Sequence, residues 1–332
     1  MNQRIDLARY IMIAGIIVLH APPTVSLGEV QGFFETVRAF FTHGLFRFSV
    51  PVLSTISGYL LFKTIERKTY SSILKTKVRT LVLPMLIWNL PLVIALYLLQ
   101  ANTSSSHEFS FQAYPFDGLQ WLSGVFGIFQ LPVNYPLNFL RDIFAITLFT
   151  PLIYITLKHF NFIGLVLLCL FFWFNLEGSF VLRNLMAINF CCGAWVALKG
   201  VDVFQLDRFR LWSVGIIIIA CFSIVFFEIE NKSYFRLLAP FFLWSALSYL
   251  DGSKLAEFIL RYSKQSFFVF CAHGPLLVVM WIIYKLVNSF VLIPYPIFWI
   301  VTPVVILVLC NVLYTLGYRF IPSVMKWSLG GR

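Results

Sequence analysis

Ile5-Asp6-Leu7-Ala8-Arg9-Tyr10-Ile11-Met12-Ile13-Ala14-Gly15-Ile16-Ile17-Val18-Leu19-His20 is the stretch whose reading decides the fold. It is apolar enough to leave water, yet it carries an acid, a base and an imidazole. Arg9 interrupts the apolar run, His20 ends it, and the Ala-Pro-Pro that follows is a poor cleavage site, so a secretory leader is not the reading. It reads as a membrane helix. Arg9 and His20 are eleven residues apart, nearly three turns, and therefore share one face at roughly 16 Å along the axis. Asp6 lies three residues before Arg9 on the same side. Ionisable groups are costly inside a membrane, so each is a functional candidate. The structural alternatives are an Arg9 that snorkels to the surface and an interfacial His20.

The rest of the chain agrees with a membrane setting. Of 332 residues, 60% are hydrophobic and 12% charged, against about 25% charged in soluble domains. Mean hydropathy is +0.85. With 37 Phe, 14 Tyr and 9 Trp, one water-exposed globule has too little polar surface, and disorder, collagen-like repeats and a disulfide scaffold are excluded. Cys169, Cys191, Cys192, Cys221, Cys271 and Cys310 all lie in apolar runs and none forms a CxxC pair, so no metal or redox centre is signalled.

Crossing about 30 Å of hydrocarbon takes about 20 apolar residues, and ten runs qualify, near 5–20, 44–62, 80–99, 137–157, 160–176, 180–198, 211–227, 234–250, 266–287 and 297–318. The expected fold is an all-α integral membrane protein of about ten transmembrane helices, both termini cytoplasmic. The net charge of +11 is consistent with this orientation. Placing the N-terminus inside leaves only Arg38, Arg47, Arg141, Arg183, Lys232, Arg236 and Lys285 outside, so eighteen of the 25 basic residues face the cytoplasm. No basic cluster is interleaved with stacking aromatics outside the apolar runs, which argues against nucleic acid. The long loop from Gln100 to Pro136 belongs outside. Its apolar piece 119–131 is too short to span and suits a re-entrant or interfacial segment.

Other polar residues fall into patterns. Arg47, Pro51, Ser54 and Gly58 form one helical stripe, flanked by Ser57 and Tyr59; small residues there also permit close helix packing. Arg141 and Asp142 are adjacent and consistent with an ion pair. Ser266 and His273 are seven apart on one face, followed by Gly274-Pro275, where a helix loosens. Arg183 and Arg236 suit anchors at outer helix ends, although Arg183 sits well in from one.

These residues carry a resemblance. Asp6-x-x-Arg9, followed after ten residues by His20, resembles the first helix of the acyltransferase-3 family of integral-membrane acyltransferases. Phe46-Arg47-Phe48-Ser49-Val50-Pro51 running on to Ser57-Gly58-Tyr59 is similar to the family's second helix. Asn138-Phe139-Leu140-Arg141-Asp142 is similar to its fourth, and Tyr262-Ser263-Lys264-Gln265-Ser266-Phe267 with His273 to its late Ser…His segment. The matches keep the family's order across nearly the whole chain. The Tyr-containing sequence usual before the late His is replaced by Phe270-Cys271-Ala272.

The resemblance implies one membrane domain over residues 1–332 with no appended soluble domain. It implies a bacterial inner-membrane enzyme that moves an acetyl group from cytoplasmic acetyl-CoA to a hydroxyl of a surface glycan or lipid-linked glycan at the outer face. No permanently bound cofactor or metal is expected; acetyl-CoA is a substrate and membrane lipid the surroundings. A sugar hydroxyl needs a base, and a histidine suits that task near neutral pH. His20 is the expected base, with Arg9 positioning the donor. Asp6, Arg47, Ser57, Arg141, Asp142, Ser266 and His273 are the expected donor- or acceptor-binding groups. Arg47 and Arg141 are candidates to stabilise the developing oxyanion. The basic loop 63–79 faces the compartment that holds CoA, although it also serves as an orientation signal. The competing class is a transporter or flippase for an anionic solute or lipid-linked sugar, which would more often show paired broken segments.

Overall fold

The structure, a computed structural model, describes residues 2–102, 111–178 and 180–331. Its elements are α1 (Asn2–His20), α2 (Gly32–Phe62), α3 (Tyr70–Asn102), α4 (Gly118–Phe126), α5 (Asn138–Leu148), α6 (Thr150–Trp173), α7 (Asn184–Lys199), α8 (Val203–Phe226), α9 (Ser233–Ala246), α10 (Lys254–Asn288), α11 (Tyr295–Phe320) and α12 (Pro322–Ser328). Short 3-10 or π turns interrupt α2, α3, α8 and α10. There is no strand among the described residues. By length and composition six helices, α2, α3, α6, α8, α10 and α11, suffice to cross a membrane, α6 only when its two arms are counted together. The chain is a multi-pass helical membrane protein.

The expected runs all fall on helices, but not one to one. α6 hides a reversal: Asn161 has φ 50° and ψ −124° inside it. A Cβ on Gly164 would overlap the carbonyl of Thr156. Eight residues of continuous helix rise about 12 Å, so that approach exists only because the chain doubles back at Asn161. The Asn161 side-chain oxygen accepts from Trp195 Nε1 at 3.3 Å, pinning the turn to α7. Conversely, the expected span 137–157 is α5 plus the start of α6, joined at Phe149. The apolar piece 119–131 is α4, which packs through Val125 against Val93, Phe111 and Ala113. It lies on the end of α3 as a short cap. The polar opening of that loop, with His107, lies outside the described residues.

α1 sits at the centre, in contact with α2, α10 and α11. Ile16 and Ile17 are buried where a soluble amphipathic helix would alternate. Leu211, Ile219, Ile283 and Val304 on α8, α10 and α11 are exposed. Apolar side chains facing outward are the expected solution when the surrounding solvent is hydrocarbon. At the N-terminal end Arg4 is buried against two acids. It donates to both oxygens of Asp207 at 2.7 and 2.8 Å and to Asp251 through Nε at 3.2 Å. Phe204 and Trp244 flank its guanidinium at 4.9 and 5.0 Å. A buried cation is tolerable only when so fully paired, and this one ties the start of α1 to the ends of α8 and α9.

The most extensive helix pair is α2 with α7, and glycine makes it possible. A Cβ at Gly58 would overlap the Phe190 carbonyl, and one at Gly193 would overlap the Thr55 carbonyl. Without apolar solvent exclusion between helices in lipid, close backbone approach supplies the attraction. Gly58 therefore belongs to a packing seam, not a polar face, and Ser54 spends its hydroxyl on the Val50 carbonyl at 2.8 Å. Gly58→Leu should push the two helices apart and destabilise by roughly 1–3 kcal/mol or more. Gly215→Leu should be neutral, because nothing lies within 4 Å of a Cβ there. Thermal unfolding of the two variants in detergent checks the contrast; equal melting temperatures would show that the seam is not tight.

Candidate functional site

The site begins with a proline. Pro275 has no N–H, so in α10 the carbonyl four residues back, that of Cys271, receives no bond from it. Asn134 supplies a donor instead, Nδ2 to the Cys271 oxygen at 2.8 Å. Gly274 is needed for this docking: a Cβ there would fall 2.5 Å from Asn134 Oδ1. The backbone N–H of Asn134 donates to Asn89 Oδ1 at 2.8 Å, and Asn89 Nδ2 donates to the Met85 and Val125 carbonyls at 2.9 Å each. Two buried amides thus lock the loop before α5 to α3, to the cap α4 and to α10.

The next residue, Tyr135, meets His20 edge-on, ring centroids 4.7 Å apart. On its other side His20 lies parallel to His273, with centroids 5.7 Å apart and His20 Nδ1 3.4 Å from His273 Nε2. His273 is fully buried. Its Nδ1 faces the carbonyls of Phe270 at 2.8 Å and Val269 at 3.2 Å. Carbonyls only accept, so in neutral His273 the hydrogen is on Nδ1 and the lone pair on Nε2. That lone pair accepts from His20 Nδ1, and His20 Nε2 is left as a proton acceptor. The 3.4 Å separation is long, as is common for catalytic hydrogen bonds before substrate arrives.

Charges surround the pair. Asp142 is fully buried and bridges two arginines: Arg141 Nη1 at 2.9 Å and Arg183 Nε at 2.9 Å. Arg183 Nη2 also donates to Asn138 Oδ1 at 2.6 Å. Arg47 donates Nε to the Thr42 carbonyl at 3.1 Å and has no ion-pair partner among the described residues. Arg47 and Arg183 both act electrostatically on His20. Arg183 thus joins Arg47 in the field at His20, while Asp142 holds both Arg141 and Arg183.

Toward the N-terminal end of α1 opens a cavity of about 270 Å³. Arg9, Ser57, Lys68, Lys77 and Ser266 line it, with Phe139, Phe267 and Phe270 forming apolar wall. Asp6 stands near enough to Arg9 to attract its charge but makes no close ion pair. Phe270 separates this cavity from the histidines, its ring 5.9 Å from that of His273. Ser57 also bonds the Leu53 carbonyl at 2.7 Å. Of the residues the sequence singles out, Arg9, Ser57 and Ser266 meet in the cavity, His20 and His273 meet beyond it, and Arg141 meets Asp142. Asn89, Asn134, Tyr135 and Asn138 escaped sequence reasoning; the one available signal was Pro275, which demands an outside donor. No group of three or more metal-ligating side chains occurs among the described residues.

Comparison with known proteins converges on the same chemistry. Residues 2–315 match the acyltransferase-3 family model, described as an acyltransferase domain. The chain is similar to the succinoglycan biosynthesis protein ExoH of Rhizobium meliloti (strain 1021), 31% identical over 349 residues that cover 100% of this chain and 92% of that one. No solved structure matches. With the histidine pair, the arginines and the polar cavity placed on the helices where the motifs fall, the chain belongs to the acyltransferase-3 family and is an acyltransferase.

Proposed function

We propose that the protein is an O-acyltransferase of the bacterial inner membrane that moves an acetyl group from cytoplasmic acetyl-CoA to a hydroxyl of a glycan, or a lipid-linked glycan, at the outer face. The observation that carries this reading is the His20–His273 pair, whose backbone bonds leave one imidazole nitrogen as a base. The polysaccharide in the relative's name, succinoglycan, supports a glycan acceptor. The basic excess at the Arg9 end supports a cytoplasmic donor side, in a ten-helix topology with both termini inside.

In this mechanism the acyl-CoA enters the cavity at Arg9, with Lys68 and Lys77 at hand for its phosphates. The acceptor hydroxyl gives its proton to His20 Nε2 as its oxygen attacks the thioester carbonyl. The negative charge that develops on the carbonyl oxygen lies in the field of Arg47 and Arg183, in surroundings that magnify such stabilisation. The tetrahedral intermediate collapses, the C–S bond breaks, and His20 returns the proton to the departing thiolate. His273 is a positioning residue: it fixes the tautomer and the ring plane of His20.

Losing the base should lower acylation by roughly 10²–10⁴-fold. His20→Ala should therefore reach the membrane normally and fail to release thiol from acetyl-CoA in the presence of acceptor. His273→Gln keeps an oxygen that can accept from His20 Nδ1, so it should retain clearly more activity than His273→Ala. Parental rates in a well-expressed His20→Ala protein would remove His20 from the chemistry. Arg9→Ala should raise KM for acetyl-CoA more than KM for the acceptor; an equal rise in both would break the assignment of the cavity to the donor.

Topology has its own test. Reporter fusions after Arg79 should read cytoplasmic and fusions near His107 external. The reverse pattern would put the donor cavity on the wrong side of the membrane.

A further inference from the structure

Beyond the histidine pair, Trp173, Arg183, Asn184, Leu185, Ser233 and Arg236 enclose a second cavity of about 290 Å³. Apart from Arg183, none of these residues has a place in the mechanism above. The cavity's chemistry is lopsided. Arg236 has a buried Nε with no hydrogen-bond partner, and among the described residues Arg236 is in no ion pair. Its nearest charges are alike in sign: Arg47 and Arg183 both bear on it, and Lys232 lies close to Arg47 and Arg236. Burial first, then Arg47 and Arg236, hold the Lys232 ammonium below the ordinary lysine range, with Glu230 opposing. Asp142 already has both oxygens occupied by Arg141 and Arg183, and Glu177, whose carboxylate oxygens are buried without a hydrogen-bond partner, is not among the charges that bear on Arg236.

Cations that outnumber their paired anions store repulsion, and a buried donor without an acceptor costs free energy. An oxyanion entering the cavity relieves both. The walls say what carries it. Trp173 and Tyr234 stand with ring centroids 6.1 Å apart at a tilt of 37°, both exposed, an aromatic face suited to the C–H surface of a sugar ring. Ser233 and Asn184 offer hydroxyl and amide groups to sugar hydroxyls. Arg183 links the cavity to Asp142 and acts on His20, so a group bound here belongs to a molecule whose other part reaches the histidines.

We propose that this cavity is an acceptor subsite for a carboxylate-bearing sugar, with Arg236 and Arg183 holding the carboxylate and Trp173 covering the ring. The assignment rests on the glycan-acceptor reading above and adds that the acceptor is acidic. It predicts selectivity in binding that survives even where acyl transfer is not followed.

The test measures equilibrium binding of two probes to the purified full chain in nanodiscs: a hexuronate disaccharide and its carboxyl-reduced counterpart. The parent should bind the acidic probe at least roughly tenfold more tightly, the scale of one charge-assisted contact. Arg236→Gln should erase the preference and leave binding of acetyl-CoA and of the neutral probe unchanged. Arg236→Lys, keeping charge but not the planar fork, should keep part of it. Should Arg236→Gln not accumulate in the membrane, Trp173→Ala at the exposed wall is read instead and should weaken both probes. Equal binding of the two probes by the parent, or a preference that Arg236→Gln retains, overturns the proposal. So does Arg236-dependent binding of glycerol phosphate without binding of the hexuronate, which would make the cavity a lipid-headgroup site. A retained acidic preference with no acyl transfer to any glycan would instead count against the function proposed above and leave the subsite standing.

Discussion

The carbonyl that Pro275 leaves without its helical partner organises the centre of this protein. In a membrane interior each backbone polar group needs a partner from the protein itself. Asn134 provides one, and in doing so fixes Tyr135 against His20 and draws Asn89, α3 and the cap α4 into the same network. Within the same helix His273 turns its Nδ1 onto the carbonyls of Val269 and Phe270, one turn back. One missing N–H therefore sets the wall of the histidine pair, and the helix backbone one turn before His273 sets its tautomer.

Much of this was legible in the sequence, for reasons that can be stated residue by residue. Arg9, His20, Ser266 and His273 stood out because ionisable or polar groups are rare in apolar runs and helical spacing tells which share a face. Arg141 and Asp142 are adjacent, so their pairing needed no tertiary information. Arg183 joins the same carboxylate from 41 positions away, and nothing local announces that. Asn89 and Asn134 lie in different segments with no periodicity to link them. The stripe 47–51–54–58 was periodic but ambiguous: small residues line cavities and seams alike, and only the approach of Phe190 shows that Gly58 belongs to a seam. The number of helices that pass through the membrane is less legible than their existence, because a reversal such as that at Asn161 leaves hydrophobicity unbroken.

Electrostatics divides the molecule into two unlike ends. At the N-terminal end of α1 the buried cation is satisfied: Arg4 has two carboxylates and two aromatic faces. That arrangement is a structural tie, and it holds α1 in register with α8 and α9. At the His20 end Arg47 and Arg236 are in no ion pair among the described residues, and the carboxylate of Asp142 is shared by Arg141 and Arg183. An excess of cations is costly to the resting fold and useful to a reaction whose substrates or intermediates bring negative charge. The contrast between Arg4, which is neutralised, and Arg9, Arg47 and Arg236, which are in no ion pair among the described residues, is what separates architecture from function here.

Phe270 then becomes the decisive side chain for the proposed transfer. It lines the Arg9 cavity and packs beside His273, so it stands between the place assigned to the donor and the base. Where the family usually carries a Tyr-containing sequence ahead of the late histidine, this chain has Phe270-Cys271-Ala272, and a phenyl ring has no hydroxyl to offer a thioester oxygen. Stabilisation of the oxyanion consequently falls to charge acting from the His20 side, where Arg47 and Arg183 already act on the imidazole. In the proposed transfer an apolar ring at this place suits the exclusion of water from the histidines, which would favour attack by a sugar hydroxyl over hydrolysis. On that reading selectivity against water falls to Phe270, the residue that both lines the Arg9 cavity and packs beside His273.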